Sequence, residues 1–264
     1  MKTSTEKMIA EKDGAIGWMI FNNPSRHNAV SMDMYLAVPE IIAAFEQDDE
    51  VRVIVLRGAG DKAFVSGADI SQFEEVRASK EDTNKYDEIT ERASNSIYQT
   101  AKPSIAMING YCMGGGVSFA MSCDLRIASD SARFGVPAAK LGVGYRAHGL
   151  RKLINAVGPS FAKEIFYTAR QFSAEEALTM GWVNRVVPAE QLEGYVREYA
   201  GTIAANAPLT LRAVKATVNE LLVDPPQRNL DRSEALVEAC FTSEDYVEGR
   251  RAFMEKRKPE FHGR

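Results

Sequence analysis

The stretch from Pro103 to Asp124, PSIAMINGYCMGGGVSFAMSCD, constrains the chain more than any other. Ser104 to Ile108 is an apolar, strand-like run, Asn109-Gly110 turns it, and three glycines, Gly114 to Gly116, open an apolar helix-like segment ending near Ser122. With no Cβ at three positions a bound group can approach the main chain, and the first N–H groups of a helix have no partner within it. Such a site favours an oxygen that is gaining negative charge. Close packing alone would equally account for a lone glycine cluster. A second strand-like run, VRVIVLR at Val51 to Arg57, leads through GAGDKAFVSGADI into a short helix expected from about Ser71. Two glycine-bearing turns, Gly67-Ala68-Asp69 and Gly114-Gly115-Gly116, can therefore present a pair of donors.

Four segments, AFVSGADI at Ala63 to Ile70, NGYCMGGGVSFAMSCDL at Asn109 to Leu125, FGVPAAKLGVG at Phe134 to Gly144 and AFMEKRKPEF at Ala252 to Phe261, follow one another over nearly the whole chain. In that order they resemble the crotonase, or enoyl-CoA hydratase/isomerase, superfamily. The resemblance implies an α/β fold in which residues 1–200 form a crotonase-like spiral of β-β-α turns around an acyl-CoA pocket. Residues 201–264 would be C-terminal helices that contact CoA and pack subunits into a homotrimer or a dimer of trimers.

By the same resemblance the N–H groups of Ala68 and Gly115 form an oxyanion hole for the thioester carbonyl, with Gly114, Asp69 and Ile70 beside it. Arg26, Asn28 and Ala29 of the RHNAVS loop would enclose the adenine and pantetheine end of CoA, and Lys256 would approach its phosphates. Coenzyme A is part of the substrate, so no separate cofactor and no metal is expected. Other readings stay open: Arg26 and His27 as solvated turn residues, and the Lys256, Arg257, Lys258 cluster as a solvated helix end. Asp69 reads as a loop-fixing acceptor rather than an acid or base, and Asp124 as structural.

At 264 residues, with 45% hydrophobic and 26% charged content, the chain can bury a large core. A formal charge of −4 argues against broad nucleic-acid binding, no apolar run reaches membrane-spanning length, and the first residues lack a signal-peptide core. A cytoplasmic protein is expected. Cys112, Cys123 and Cys240 are too few and too widely spaced for a disulfide scaffold or zinc site, and Cys112 reads as packing rather than a nucleophile.

Strands are expected at Ala15 to Asn22, Leu125 to Ala128 and Ala132 to Phe134. Helices are expected from a Ser31 cap through about Asp48 with Pro39 inside, from Tyr86 to Gln99, from Pro159 and from Ala174, the last with a Ser173/Glu176 capping box. Ser71 to Lys85 reads as a flap over the acyl pocket or as a plain solvated loop. From Glu190 nearly every residue fits an amphipathic helix.

The chemistry turns on two absences. The superfamily's hydratases activate water and deliver a proton with two facing glutamates. Registering GYCMGGGVS and FGVPAAKLG places Ser118 and Ala138 at those positions, and neither titrates usefully near neutrality. Loss of CO₂ from a malonyl-type thioester makes an enolate without a general base, since the breaking C–C bond supplies the electrons. LGVGYRAHGL places Tyr145 much as methylmalonyl-CoA decarboxylase-like members place a tyrosine at the substrate carboxylate, although they carry a histidine where this chain has Ala68. Tyr145 and, beside it, His148 and Arg146 are the candidates for holding a carboxylate or giving a proton. Ordinary packing of the tyrosine, a surface arginine and a helix-start histidine are the alternatives. Three functions follow: a decarboxylase-like lyase, a hydratase or isomerase with substitute groups, and a non-catalytic acyl-CoA binder.

Overall fold

Each pass of the chain lays one strand into each of two sheets. A computed structural model describes residues 3–69 and 79–264, and at His148 the backbone alone. An antiparallel hairpin, β1 (Met8–Asp13) and β2 (Ile16–Phe21), is followed by helix α1 (Met32–Gln47). Three strand pairs come next: β3 (Val53–Gly58) with β4 (Ala63–Val65), β5 (Ser104–Ile108) with β6 (Tyr111–Met113), and β7 (Leu125–Ser129) with β8 (Arg133–Gly135). Helices α2 (Lys80–Gln99) and α3 (Gly115–Ser122) close the first two turns; α4 (Ala138–Leu141) and α5 (Ala147–Thr168) close the third. The first member of each pair joins a six-stranded sheet, ordered β1-β2-β3-β5-β7-β10 with β10 at Arg185–Val187. The second joins a four-stranded sheet, ordered β4-β6-β8-β9 with β9 at Phe172–Ser173. All these turns pair in parallel, Ile54 with Ser104 and Ile105 with Leu125, which is the expected α/β spiral of β-β-α turns.

Both faces of the larger sheet are covered, so its central strands are continuous apolar runs rather than alternating ones. One face meets α1 through Met34, Val38 and Ile41; the other meets α7 (Leu192–Ala204) through Leu192, Val196 and Ala200. The boundary expected at residue 200 thus falls inside a helix that packs on the sheet. Beyond it come α8 (Pro208–Leu221), α9 (Leu230–Phe241) and α10 (Glu244–Glu255), with α6 (Ala174–Thr179) earlier in the chain. No helix among the described residues is long and apolar enough to cross a membrane.

Several local expectations shift. Ser31 is the N-cap residue of α1, but its hydroxyl bonds Asp33 and accepts from Lys7 Nζ at 3.2 Å instead of capping a backbone N–H. Helix α2 begins six residues before Tyr86, where Ser79 accepts from the Asp82 N–H at 3.1 Å. Part of the supposed flap is therefore helix, and Ile70 and residues 71–78 of that reading lie outside the described residues. Helix α5 breaks at Gly158 (φ 75°), so Pro159 does start a helical half, and the Ser173/Glu176 box forms with bonds of 3.1 and 2.8 Å. The final helix stops at Glu255; Lys256 turns left-handed (φ 56°), and buried Asp245 accepts from the His262 and Gly263 N–H groups at 2.7 and 2.8 Å to hold the returning tail.

Asp124 joins three elements, accepting from the Ser104 N–H at 2.7 Å, the Ser104 hydroxyl at 2.9 Å and Lys215 Nζ of α8 at 2.8 Å. The Lys215 side chain is only 9% exposed, so removing its counter-charge strands an ammonium. Asp124→Ala is expected to lower unfolding stability by about 2–3 kcal/mol in urea titrations, with Asp124 itself partly wet and the loss moderated accordingly.

Candidate active site

A cavity of about 700 Å³ opens where the turn after β4, the start of α3, one face of α2 and the residues around α4 meet. Val30 and Ala68 form an isolated parallel bridge in which the Val30 N–H donates to the Gly67 carbonyl and the Asp69 N–H to the Val30 carbonyl, both at 2.9 Å. Strand alternation then turns the Ala68 N–H away from Val30. The Ala68 nitrogen lies 3.6 Å from the place a Cβ on Gly115 would take. Gly115 is the first residue of α3, so its N–H has no intrahelical acceptor. Two backbone donors thus come together at one wall.

The three glycines serve different ends, unlike the single role expected for them. Gly114 has φ 50°, which ordinary residues rarely adopt, and its N–H donates to the Gly135 carbonyl at 2.9 Å, so it is not a free donor. A Cβ on Gly116 would meet the Val65 carbonyl oxygen at 2.2 Å; this glycine serves packing, not ligand approach.

The other positions divide between wall and surroundings. Tyr145 and Arg146 line the cavity together with Ser118 and Ala138. Tyr145 is 39% exposed and its ring stands edge-on to Phe166 at 4.8 Å; Arg146 donates from Nε to Asp87 at 2.6 Å and from Nη2 to Asn84 at 3.0 Å. His148 lies in the first turn of α5, its side chain outside the description. Arg26 reaches Asp69 at 3.1 Å from outside the wall. Asn28 is 1% exposed and spends its side chain on Asn23, Ala59 and Ala63, while Ala29 donates its N–H to the Arg26 carbonyl. The side chain of Asn28 is therefore a brace of its loop. Lys256, exposed at the end of α10, is not brought to the cavity. Burial pushes the Cys112 thiol far above its ordinary range and Cys123 up to about 12, in keeping with packing roles.

Residues 11–264 match the pattern of the enoyl-CoA hydratase/isomerase family. The chain belongs to that family. It is similar to the short-chain-enoyl-CoA hydratase of Clostridium acetobutylicum, at 37% identity over 96% of each chain. It is also similar to the crotonyl-CoA hydratase of Syntrophomonas wolfei, at 36% identity over 97% of this chain and 98% of that one. A crystal structure of an enoyl-CoA hydratase/carnithine racemase from Magnetospirillum magneticum superposes with TM-score 0.92 and 36% identity, covering 99% and 97%. These relatives carry hydratase names, so family membership stands while the finer likeness to decarboxylase-like members rests on the residues alone.

Sequence reasoning missed three titratable side chains of this family member. Asp87 and Glu91, one turn apart on α2, line the cavity from the wall across which Arg146 reaches. Their i,i+4 spacing is visible in the sequence; what they face is not. Behind Ser118 a recess of about 30 Å³ is lined by Lys152 of α5, whose Nζ donates to Asn95 Oδ1 at 3.1 Å and Ser122 Oγ at 2.9 Å and sits over the Tyr98 ring at 4.9 Å. Burial lowers its pKa from 10.5 to about 8, outweighing the pull of Glu91. Between pH 8 and 10.5 the unfolded chain holds a proton that the folded chain has released, so stability rises with pH there. Relative to Lys152→Met, the unmodified protein is expected to gain about 2 kcal/mol between pH 8 and 10, read from urea midpoints.

Proposed function

We propose that this protein acts on an acyl-CoA, holding the thioester carbonyl at the Ala68 and Gly115 N–H groups as it takes on enolate character, and that its reaction is loss of CO₂ from a malonyl-type acyl-CoA. One observation carries the reading: the cavity wall next to those donors offers Ser118 and Ala138, which are neutral, with Tyr145 and Arg146 close by. A carboxylate at 118 or 138 would repel a substrate carboxylate. A phenol and a guanidinium are the groups suited to hold one over the thioester until the C–C bond breaks. The electrons of that bond form the enolate, and a proton must then reach Cα.

A second reading is hydration of an enoyl-CoA. Asp87 and Glu91 favour it, because they are carboxylates on the cavity wall able in principle to handle water and its proton, and the hydratase names of the similar proteins point the same way. A homotrimer or dimer of trimers suits the exposed apolar residues of the last helices, among them Phe241, Val247 and Phe253, and a cytoplasmic setting suits a CoA substrate.

Malonyl-, methylmalonyl- and ethylmalonyl-CoA are expected to release CO₂, with crotonyl-CoA hydrated slowly at best. Fast hydration with no CO₂ from any of the three would replace the first reading by the second. Tyr145→Phe is expected to slow CO₂ release about ten- to hundredfold while affinity for a saturated acyl-CoA holds, since only the malonyl-type substrate has a carboxylate to lose. Gly115→Pro, if circular dichroism shows a native fold, is expected to cost on the order of 3 kcal/mol in transition-state stabilisation of either reaction.

A further inference from the structure

Tyr35 has no part in either reaction as drawn above. It lies on α1 with its side chain 5% exposed, stacked on Phe119 at 5.5 Å and edge-on to Tyr86 at 6.0 Å. Those rings fix where its hydroxyl points. The residue nevertheless lines the cavity, and its oxygen lies 2.8 Å from the place a Cβ on Gly115 would take. The Ala68 nitrogen lies 3.6 Å from that same place. The phenol, the Ala68 N–H and the first residue of α3 therefore bound one small volume.

The identity of residue 115 points the same way. Gly115 has no positive φ, and the nearest backbone atom to its missing Cβ is that 3.6 Å nitrogen, an ordinary contact. Neither dihedral strain nor backbone packing calls for a glycine there. What a side chain at 115 would strike is the Tyr35 hydroxyl. We infer that the Tyr35 hydroxyl is a third hydrogen-bond donor to the thioester carbonyl oxygen held by Ala68 and Gly115; the inference rests on the acyl-CoA reading. A carbonyl oxygen that accepts from two N–H groups near 2.9 Å still has capacity for another donor, and it gains more as it becomes an enolate oxygen. A phenol is more acidic than an amide N–H, so its bond strengthens more as charge develops, and the preference goes to the transition state. The group is the same whether the enolate arises by loss of CO₂ or by addition of water.

The test needs no turnover. Butyryl-CoA enriched with carbon-13 at the thioester carbon is bound to the protein, and the downfield displacement of that resonance reports polarisation of the carbonyl. The unmodified protein is expected to displace it. Tyr35→Phe, native by circular dichroism and binding within about threefold of normal, is expected to lose about a third or more of the displacement, and turnover of the true substrate to fall about ten- to hundredfold. Site-specific 3-fluorotyrosine at position 35, a more acidic donor of nearly the same size, is expected to enlarge it. Full displacement in folded Tyr35→Phe, or no response to the fluorinated donor, overturns the role of Tyr35 while leaving the two backbone donors standing. Ligand bound with no displacement in the unmodified protein overturns the reading of Ala68 and Gly115, and this inference with it.

Discussion

The contact between Gly116 and the end of β4 governs the rest of the site. A Cβ at 116 would sit 2.2 Å from the Val65 carbonyl oxygen, so only glycine lets the first turn of α3 lie against that strand. Strand β4 is in turn paired with β6, Ala63 beside Tyr111, and β6 leads directly into Gly114 and α3. The short path from β6 to α3 and the sheet register then fix the start of the helix against the turn that follows β4. The Ala68 and Gly115 nitrogens end at one wall because two successive turns of the spiral are stacked, each delivering the same part of its β-β-α unit to the same place. The placement costs the ligand nothing, since folding has already fixed both donors.

What could be read from the sequence was what is decided locally. Apolar runs gave the strands β3, β5 and β7 to within two residues, and the glycine cluster gave α3. Ser173 and Glu176 gave a cap because both halves of the box lie within four residues. Local reading went astray where a distant partner changed the meaning of a residue. Asn28 gave no sign that the Ala59 and Ala63 carbonyls, more than thirty positions away, take its side-chain amide. Nearly every residue from Glu190 read as amphipathic helix, yet the last helix stops at Glu255, where Asp245 captures the tail and Glu248, held far below its usual pKa by Arg257 and Arg251, clamps the turn. Tyr35, Asp87, Glu91 and Lys152 gave no signal of their own, because an aromatic or charged residue beside a helix's buried face looks the same whether it meets solvent, core or cavity.

The walls of the cavity divide the labour of the proposed chemistry. The wall made by the β4 turn and α3 presents N–H groups, the positive end of a helix and the uncharged Ser118. Among the described residues that line it, that wall brings no carboxylate to an oxygen on which negative charge develops. The acids enter from α2, and Asp87 is partly neutralised by Arg146 across the space. A two-glutamate arrangement at positions 118 and 138 would put both ionisable groups on the segments that also carry the donor Gly115 and the Tyr145 turn, coupling proton transfer to oxyanion stabilisation through one short stretch of chain. Here the acids and the Ala68 and Gly115 nitrogens belong to different elements, α2 on one side and the β4 turn with α3 on the other. On the proposed reading the consequence is chemical: polarisation of the thioester would be built into the spiral itself, while the fate of the enolate would be set by what α2 and the Tyr145 turn bring to its Cα.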